Sequence, residues 1–219
     1  MLQETTTPRC DTSDMRFPHG LLRDAFAQAG AFIGATAPGD RARAAQVGSF
    51  YENVLAFLRV HHGAEDDLLW PLLRERAPQQ ATLLDRMENQ HAAVDEVTGA
   101  ADRAVAAYVS DPTAEHAAAL LAAVRRLAIE LDAHLVDEER EILPLAATTL
   151  SQDEWGALPG WAMRRFAGDK VWLILGLLFE QMTSEERTTT LKHMPTPVRE
   201  MWAATGDHDF SAFMSAVRG

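Results

Sequence analysis

The chain has 219 residues, 20 basic and 32 acidic side chains, and a net charge of −12. Such a surface repels phosphate backbones and anionic bilayers, which argues against nucleic acid and membranes as partners. A hydrophobic share of 47% supports a packed core rather than a disordered chain, and abundant alanine with few tyrosines favours helices over strands.

The N-terminal segment, residues 1–15, is polar, carries the single cysteine Cys10, and is expected to be a flexible tail. It has no apolar stretch of signal-peptide length. One thiol forms no intrachain disulfide, so a reducing compartment, the cytoplasm, is expected. The first predicted helix covers residues 17–36 and ends at the turn Thr36-Ala37-Pro38-Gly39-Asp40. The second covers residues 40–70 and is expected to stop at Pro71. The third covers residues 78–109 and is broken by Ser110-Asp111-Pro112. The fourth covers residues 113–143 and is expected to stop at Pro144. Two helical hairpins of equal size predict an all-α, up-down-up-down four-helix bundle over residues 16–147.

Residues 148–219 continue in a helical pattern of three or four short helices. Ser151-Gln152-Asp153-Glu154 and Thr183-Ser184-Glu185-Glu186 read as capping boxes, and Thr196-Pro197 as an N-cap followed by proline. Trp155, Trp161, Trp172 and Phe179 need burial, either on the outside of the bundle or in a homodimer interface made by these C-terminal helices. The longest apolar run, residues 171–179, is far short of the ~20 residues that span a bilayer.

Within this frame the sequence says one thing twice. His61 opens a run through Glu65, Asp66, Leu69, Trp70, Pro71 and Leu72. His134 opens the same run through Glu138, Glu139, Ile142, Leu143, Pro144 and Leu145. Both read H-x-x-x-E-[DE]-x-x-[LI]-[LW]-P-L, 73 residues apart (61 to 134), and His19 and His91 lie 72 apart (19 to 91). Residues i and i+4 share a helix face, so each His-x-x-x-Glu can offer an imidazole nitrogen and a carboxylate oxygen to one cation. The second carboxylate oxygen can bridge to another. The expected metal ligands are therefore His19, His61, Glu65, His91, His134 and Glu138. A single His-x-x-x-Glu would read as a solvated surface pair; two copies with the same downstream pattern do not. Oxygen and nitrogen donors without sulfur suit iron, manganese or zinc. Structural zinc commonly recruits cysteine, and His-Glu-x-x-His, the metalloprotease signature, is absent. Glu88-x-x-His91 has no twin and reads as accidental.

These residues resemble the hemerythrin-like, or HHE cation-binding, family of four-helix bundles. His19-Gly20-Leu21-Leu22-Arg23 is similar to the family's opening motif, His61 with Glu65 and Leu69-Trp70-Pro71 to the second, Gln90-His91 to the third, and His134 with Glu138 to the fourth. The resemblance implies a non-heme di-iron centre with carboxylate and oxo or hydroxo bridges, zinc or manganese being less expected. It also implies a small ligand: dioxygen, hydrogen peroxide or nitric oxide. The oxygen carriers have His-x-x-x-His on the third helix, where this chain has His91-x-x-x-Asp95. One histidine fewer points away from simple oxygen storage, and Asp95 stands in register as a seventh ligand.

His62, with Asp66 one turn on, is rotated by about 100° from His61 and is expected to flank the site or face solvent. Tyr51 is expected in the core, and Trp70 at the bundle end. His116, His193 and His208 are expected to be exposed. The functional expectation is a di-iron protein that binds or reacts with such small ligands, with a catalase- or peroxidase-like oxidoreductase as its enzymatic form. The alternative is an oxygen- or iron-sensing module whose C-terminal helices relay metal state to a partner.

Overall fold

The computed structural model describes residues 9–219, and every regular element among them is helical. Four rods carry the N-terminal two thirds. The first is α1 (Arg16–Ala27) with α2 (Ala29–Gly34), which breaks at Gln28 instead of running unbroken to Thr36. The second is α3 (Arg41–Ala64), continued by α4 (Trp70–Arg76). The third is α5 (Ala81–Ser110), and the fourth α6 (Ala114–Asp137), continued by α7 (Leu143–Thr149). Each rod packs on the next, α1 on α3, α3 on α5, α5 on α6, and α6 back on α1. Helix starts follow local chemistry. The Asp40 side chain accepts from the Arg43 N–H and Thr113 from the His116 N–H, which satisfies donors the first turn leaves free.

Pro71 and Pro144 do not stop their helices. Each sits just inside a new helical segment, after a turn of π-helix at Glu65–Leu69 and Glu138–Ile142. In these turns the Trp70 N–H donates to Glu65 O and the Leu143 N–H to Glu138 O. A proline inside an α-helix lacks a donor and clashes with the carbonyl four residues back. The wider turn absorbs the defect, and the rod goes on. Such bulges are frequent at functional sites, and here each begins on a glutamate of the repeat.

Five α-helices follow: α8 (Gln152–Arg165), α9 (Val171–Glu180), α10 (Ser184–His193), α11 (Thr196–Met201) and α12 (Asp207–Arg218), the last two joined by another π turn. Both expected capping boxes are formed, at Ser151 and Thr183. Thr196 is the first helical residue rather than the cap, and Pro195 precedes it. These helices lie on the bundle: α8 packs on α3, α9 on α1 and α3, and α12 on α3 and α9. Gly176 lets α9 meet α12 closely, since a Cβ there would lie 2.1 Å from Phe210 Cδ2. Trp155 is buried in the apolar cluster that also holds Trp70 and Leu158, and its Nε1 donates to Asp14 at 2.9 Å.

Cys10 is a free thiol, and it is buried. Its backbone N–H donates to Ala147 O at 3.2 Å and its thiol to Ala146 O. Residues 1–8 lie outside the described residues. No helix of the described residues is long and apolar enough to cross a membrane.

Two apolar clusters fill the bundle. One contains Leu21, Leu22, Leu58, Val94, Leu131 and Leu135; the other contains Met15, Leu69, Trp70, Leu84, Met87 and Ile142. Along every rod the histidines and glutamates of the repeat fall between or beside these two sets. A polar layer is thus enclosed by two apolar ones, which exclude water from both sides.

Candidate metal centre

The sequence places His19 on α1, His61 on α3, His91 on α5 and His134 on α6, and the rods bring all four rings into this layer. Glu65 and Glu138 start the two π turns. All six expected side chains are buried, with His19 and Glu138 at 0% exposure and Glu65 at 1%. His62 joins them. It is buried at 2% exposure, and its ring stacks on His91 with centroids 4.1 Å apart and planes 7° apart. It does not face solvent; it lies beside the expected ligands and could itself offer a ring nitrogen. The repeat gave no sign of it, because it has no twin: Leu135 stands where the repeat would place one.

Two donor sets result. His19, His61, Glu65 and Glu138 form one; His62, Glu65, His91 and His134 form the other. Within each set the candidate ligand atoms all lie within 4.8 Å of one another, and Glu65 belongs to both. Its Oε1 lies 3.5 Å from His61 Nε2 and its Oε2 3.4 Å from His91 Nε2. His91 Nε2 and His134 Nε2 face each other at 3.2 Å. Asp95 is exposed and in neither set.

The outer nitrogens of three rings are held from behind. His19 Nδ1 lies 2.7 Å from Glu139 Oε1, His91 Nδ1 2.7 Å from Asp66 Oδ1, and His134 Nδ1 3.3 Å from Gln90 Oε1. Arg23 fixes Glu139 in turn, and the Trp70 indole N–H donates to Asp66 at 2.9 Å. The acidic pair in each repeat therefore divides its labour. The first acid points into the layer, and the second holds a histidine of another rod. This signal was present in the repeated Glu-[Asp/Glu] dipeptide. A carboxylate behind an imidazole fixes its tautomer and leaves the inner nitrogen free as a ligand.

Electrostatics set these groups against one another. Burial lowers His19, but Glu138 and Glu139 outweigh it and raise it to about 9. Burial likewise lowers His91, while Asp66 and Glu65 lift it to about 10. Burial pulls His61 to about 3, helped by the His19 charge, and His134 to about 4. His62 falls well below its usual value for the same reason. Burial and Glu138 push Glu65 up, whereas His19 outweighs burial and holds Glu138 down.

Eight buried atoms here have no hydrogen-bond partner: His19 Nε2, His61 Nε2, both His62 nitrogens, and both oxygens of Glu65 and of Glu138. Each such atom costs about 1–3 kcal/mol. Their sum is comparable to the whole stability of a domain, roughly 5–15 kcal/mol. A cation is the partner that fits this collection of inward lone pairs and carboxylates. The residues could therefore hold metal ions.

The other singled-out residues, Trp70 apart, lie elsewhere. Tyr51 is in the core against Phe50, with its hydroxyl buried and unpartnered. Trp70 covers His91 at 5.3 Å between ring centroids. His193 and His208 are exposed, and His116 is half-buried at the start of α6.

The sequence model described as Hemerythrin HHE cation binding domain matches residues 10–146, which contain all seven side chains. No curated protein and no solved structure matches the chain.

Proposed function

The chain belongs to the hemerythrin HHE cation-binding family, and from that premise we propose that it is a non-heme di-iron protein that binds or reacts with dioxygen, hydrogen peroxide or nitric oxide. The observation that carries the reading is the pair of buried donor sets sharing Glu65. His19, His61, Glu65 and Glu138 would hold one ion, and His62, Glu65, His91 and His134 the other. An iron pair, when bound, supplies Lewis acidity and electrons to a small ligand.

The chain supplies the rest. Asp66, Glu139 and Gln90 orient three imidazoles, and the flanking apolar clusters keep bulk water out. Five histidines and two glutamates face the layer, so His62 makes up the histidine missing at Asp95. We read the four rods as an up-down-up-down bundle over residues 16–147, with residues 148–219 as an extension. The short connections between rods support that order. The lone cysteine supports a cytoplasmic setting.

A specific contact favours a second reading, as a sensor. Trp161 of α8 lies over Gly63, where a Cβ would be 2.7 Å from its ring. Gly63 directly follows the two histidines His61 and His62, so a shift in the centre would reach the C-terminal helices there.

Elemental analysis and an absorption spectrum of the purified protein test the metal, with two irons per chain and a near-ultraviolet ferric band expected. Zinc with no such band would overturn the iron reading. Oxygen evolution from peroxide, abolished in His61→Ala, tests the enzymatic form. Cleavage of the C-terminal helices by protease that is identical in metal-free, reduced and oxidised protein would count against sensing.

A further inference from the structure

The family match ends at residue 146, yet the helices beyond it complete a chamber that reaches the metal centre. Side chains of α8, α9 and α10 form one wall, and α1 and α3 the other, around a cavity of about 270 Å³. His61 and Glu65 are part of its lining. The remainder is almost wholly apolar. Phe17, Phe57, Trp155 and Phe166 present rings, and four methionines add flexible, polarizable surface of the kind that adapts to varied apolar shapes. Apart from the two site residues, the polar lining is Asp14 and Thr190. Asp14 is already engaged by the Trp155 indole N–H. A second, more polar pocket adjoins the chamber, sharing Asp14, Phe17 and Thr190 in its lining.

Size and polarity together narrow the occupant. An apolar cavity of about 150 Å³ accepts benzene, whereas a water molecule takes a share of about 30 Å³ and needs two to four polar partners. A diatomic gas or peroxide requires nothing of this volume. Water finds few partners along these walls. A charged molecule would lie mostly against rings and methionines, which offer its charge few partners. Scaling from benzene gives roughly ten to a dozen non-hydrogen atoms.

We propose that the C-terminal helices build a binding site for an uncharged, apolar organic molecule, aliphatic or aromatic, whose inner end lies against His61 and Glu65. Its place beside a metal rests on the reading above; the chamber itself does not. The pocket has the form expected of a small-molecule site, a concave apolar cavity with a few convergent polar groups at one end. It adds a specific organic ligand to a centre that would otherwise meet only small oxidants and gases.

The test is a calorimetric titration of 1-octanol into the full-length protein, metal-free and loaded with cobalt(II). One saturable site with a negative heat-capacity change, the mark of apolar burial, is expected in both forms. Octanoate should bind the metal-free protein at least tenfold more weakly. Ala162→Trp, which fills the chamber from α8, should weaken 1-octanol at least tenfold while leaving cobalt content unchanged. Thr190→Trp blocks from α10 and decides the matter should the first variant fail to fold. In the cobalt form, proton resonances of bound 1-octanol should broaden most at one end of the molecule. No saturable binding, or equal binding in both blocked variants, overturns the site and leaves a passage for gases. Uniform broadening, or none, overturns its placement against the metal. Absence of cobalt uptake would sink the metal reading alone, since the metal-free titration still judges the chamber.

Discussion

Glu65→Gln should stabilise the metal-free protein and destabilise the metal-loaded protein, each relative to wild type. In the metal-free chain this carboxylate is buried at 1% exposure, both oxygens are unpartnered, and burial with Glu138 pushes its pKa up. Glutamine keeps the shape and removes the charge. Unpartnered buried groups cost about 1–3 kcal/mol each, more when charged, so the metal-free variant should gain about 1–2 kcal/mol. For a chain of this size each kcal/mol moves Tm by about 2–4 °C, hence a rise of roughly 2–8 °C in the presence of EDTA. With metal the sign changes. A ligand at 100 times its Kd stabilises the native state by about 2.7 kcal/mol per site, and the variant forfeits much of this at both sites because Glu65 serves both donor sets. Circular-dichroism melts in EDTA and in anaerobic ferrous buffer, with metal content measured on the same samples, make the comparison. A variant that melts below wild type in EDTA yet still holds two ions per chain would refute the reasoning.

His62→Ala removes a donor from one set alone, so metal content should fall from two ions per chain to one by elemental analysis. Asp66→Asn and Glu139→Gln release the rings of His91 and His19; each should weaken metal binding about 10–100-fold in a competition titration with a chromophoric chelator. Leu131→Ala opens a cavity in the fully buried bundle core and should cost about 2–5 kcal/mol by urea unfolding of the metal-free protein. Gly176→Ala drives a methyl group into Phe210 and should destabilise by about 1–3 kcal/mol, with proteolysis beginning in the C-terminal helices.

Much of the centre was legible because it is written as a period. Two His-x-x-x-Glu pairs on two rods, with His19 and His91 at nearly the same offset, point to a single convergent layer. His62 was not legible for the complementary reason, since nothing repeats it. A helix wheel turns it about 100° from His61, and only the packing of α5 shows that this direction also leads inward, onto the His91 ring. The prolines carried a signal read with the wrong sign. Proline reads as a terminator, but a π turn on its N-terminal side lets the rod continue. In the C-terminal region the capping boxes were plain, being local. Which faces of Trp155, Trp161 and Phe179 would be covered, and that the covering would leave a chamber over His61, depends on contacts more than a hundred residues apart in sequence.

The absence of a twin for His62 has a chemical consequence. One donor set offers two imidazoles and two carboxylates, the other three imidazoles and the shared Glu65. A cation in the first would have Glu138 to itself and a share of Glu65, whereas one in the second would have only its share of Glu65. The harder, oxygen-rich seat favours the more highly oxidised ion, and the nitrogen-rich seat the more reduced one. The two seats are therefore chemically unequal, and any ions held there would meet different ligand fields.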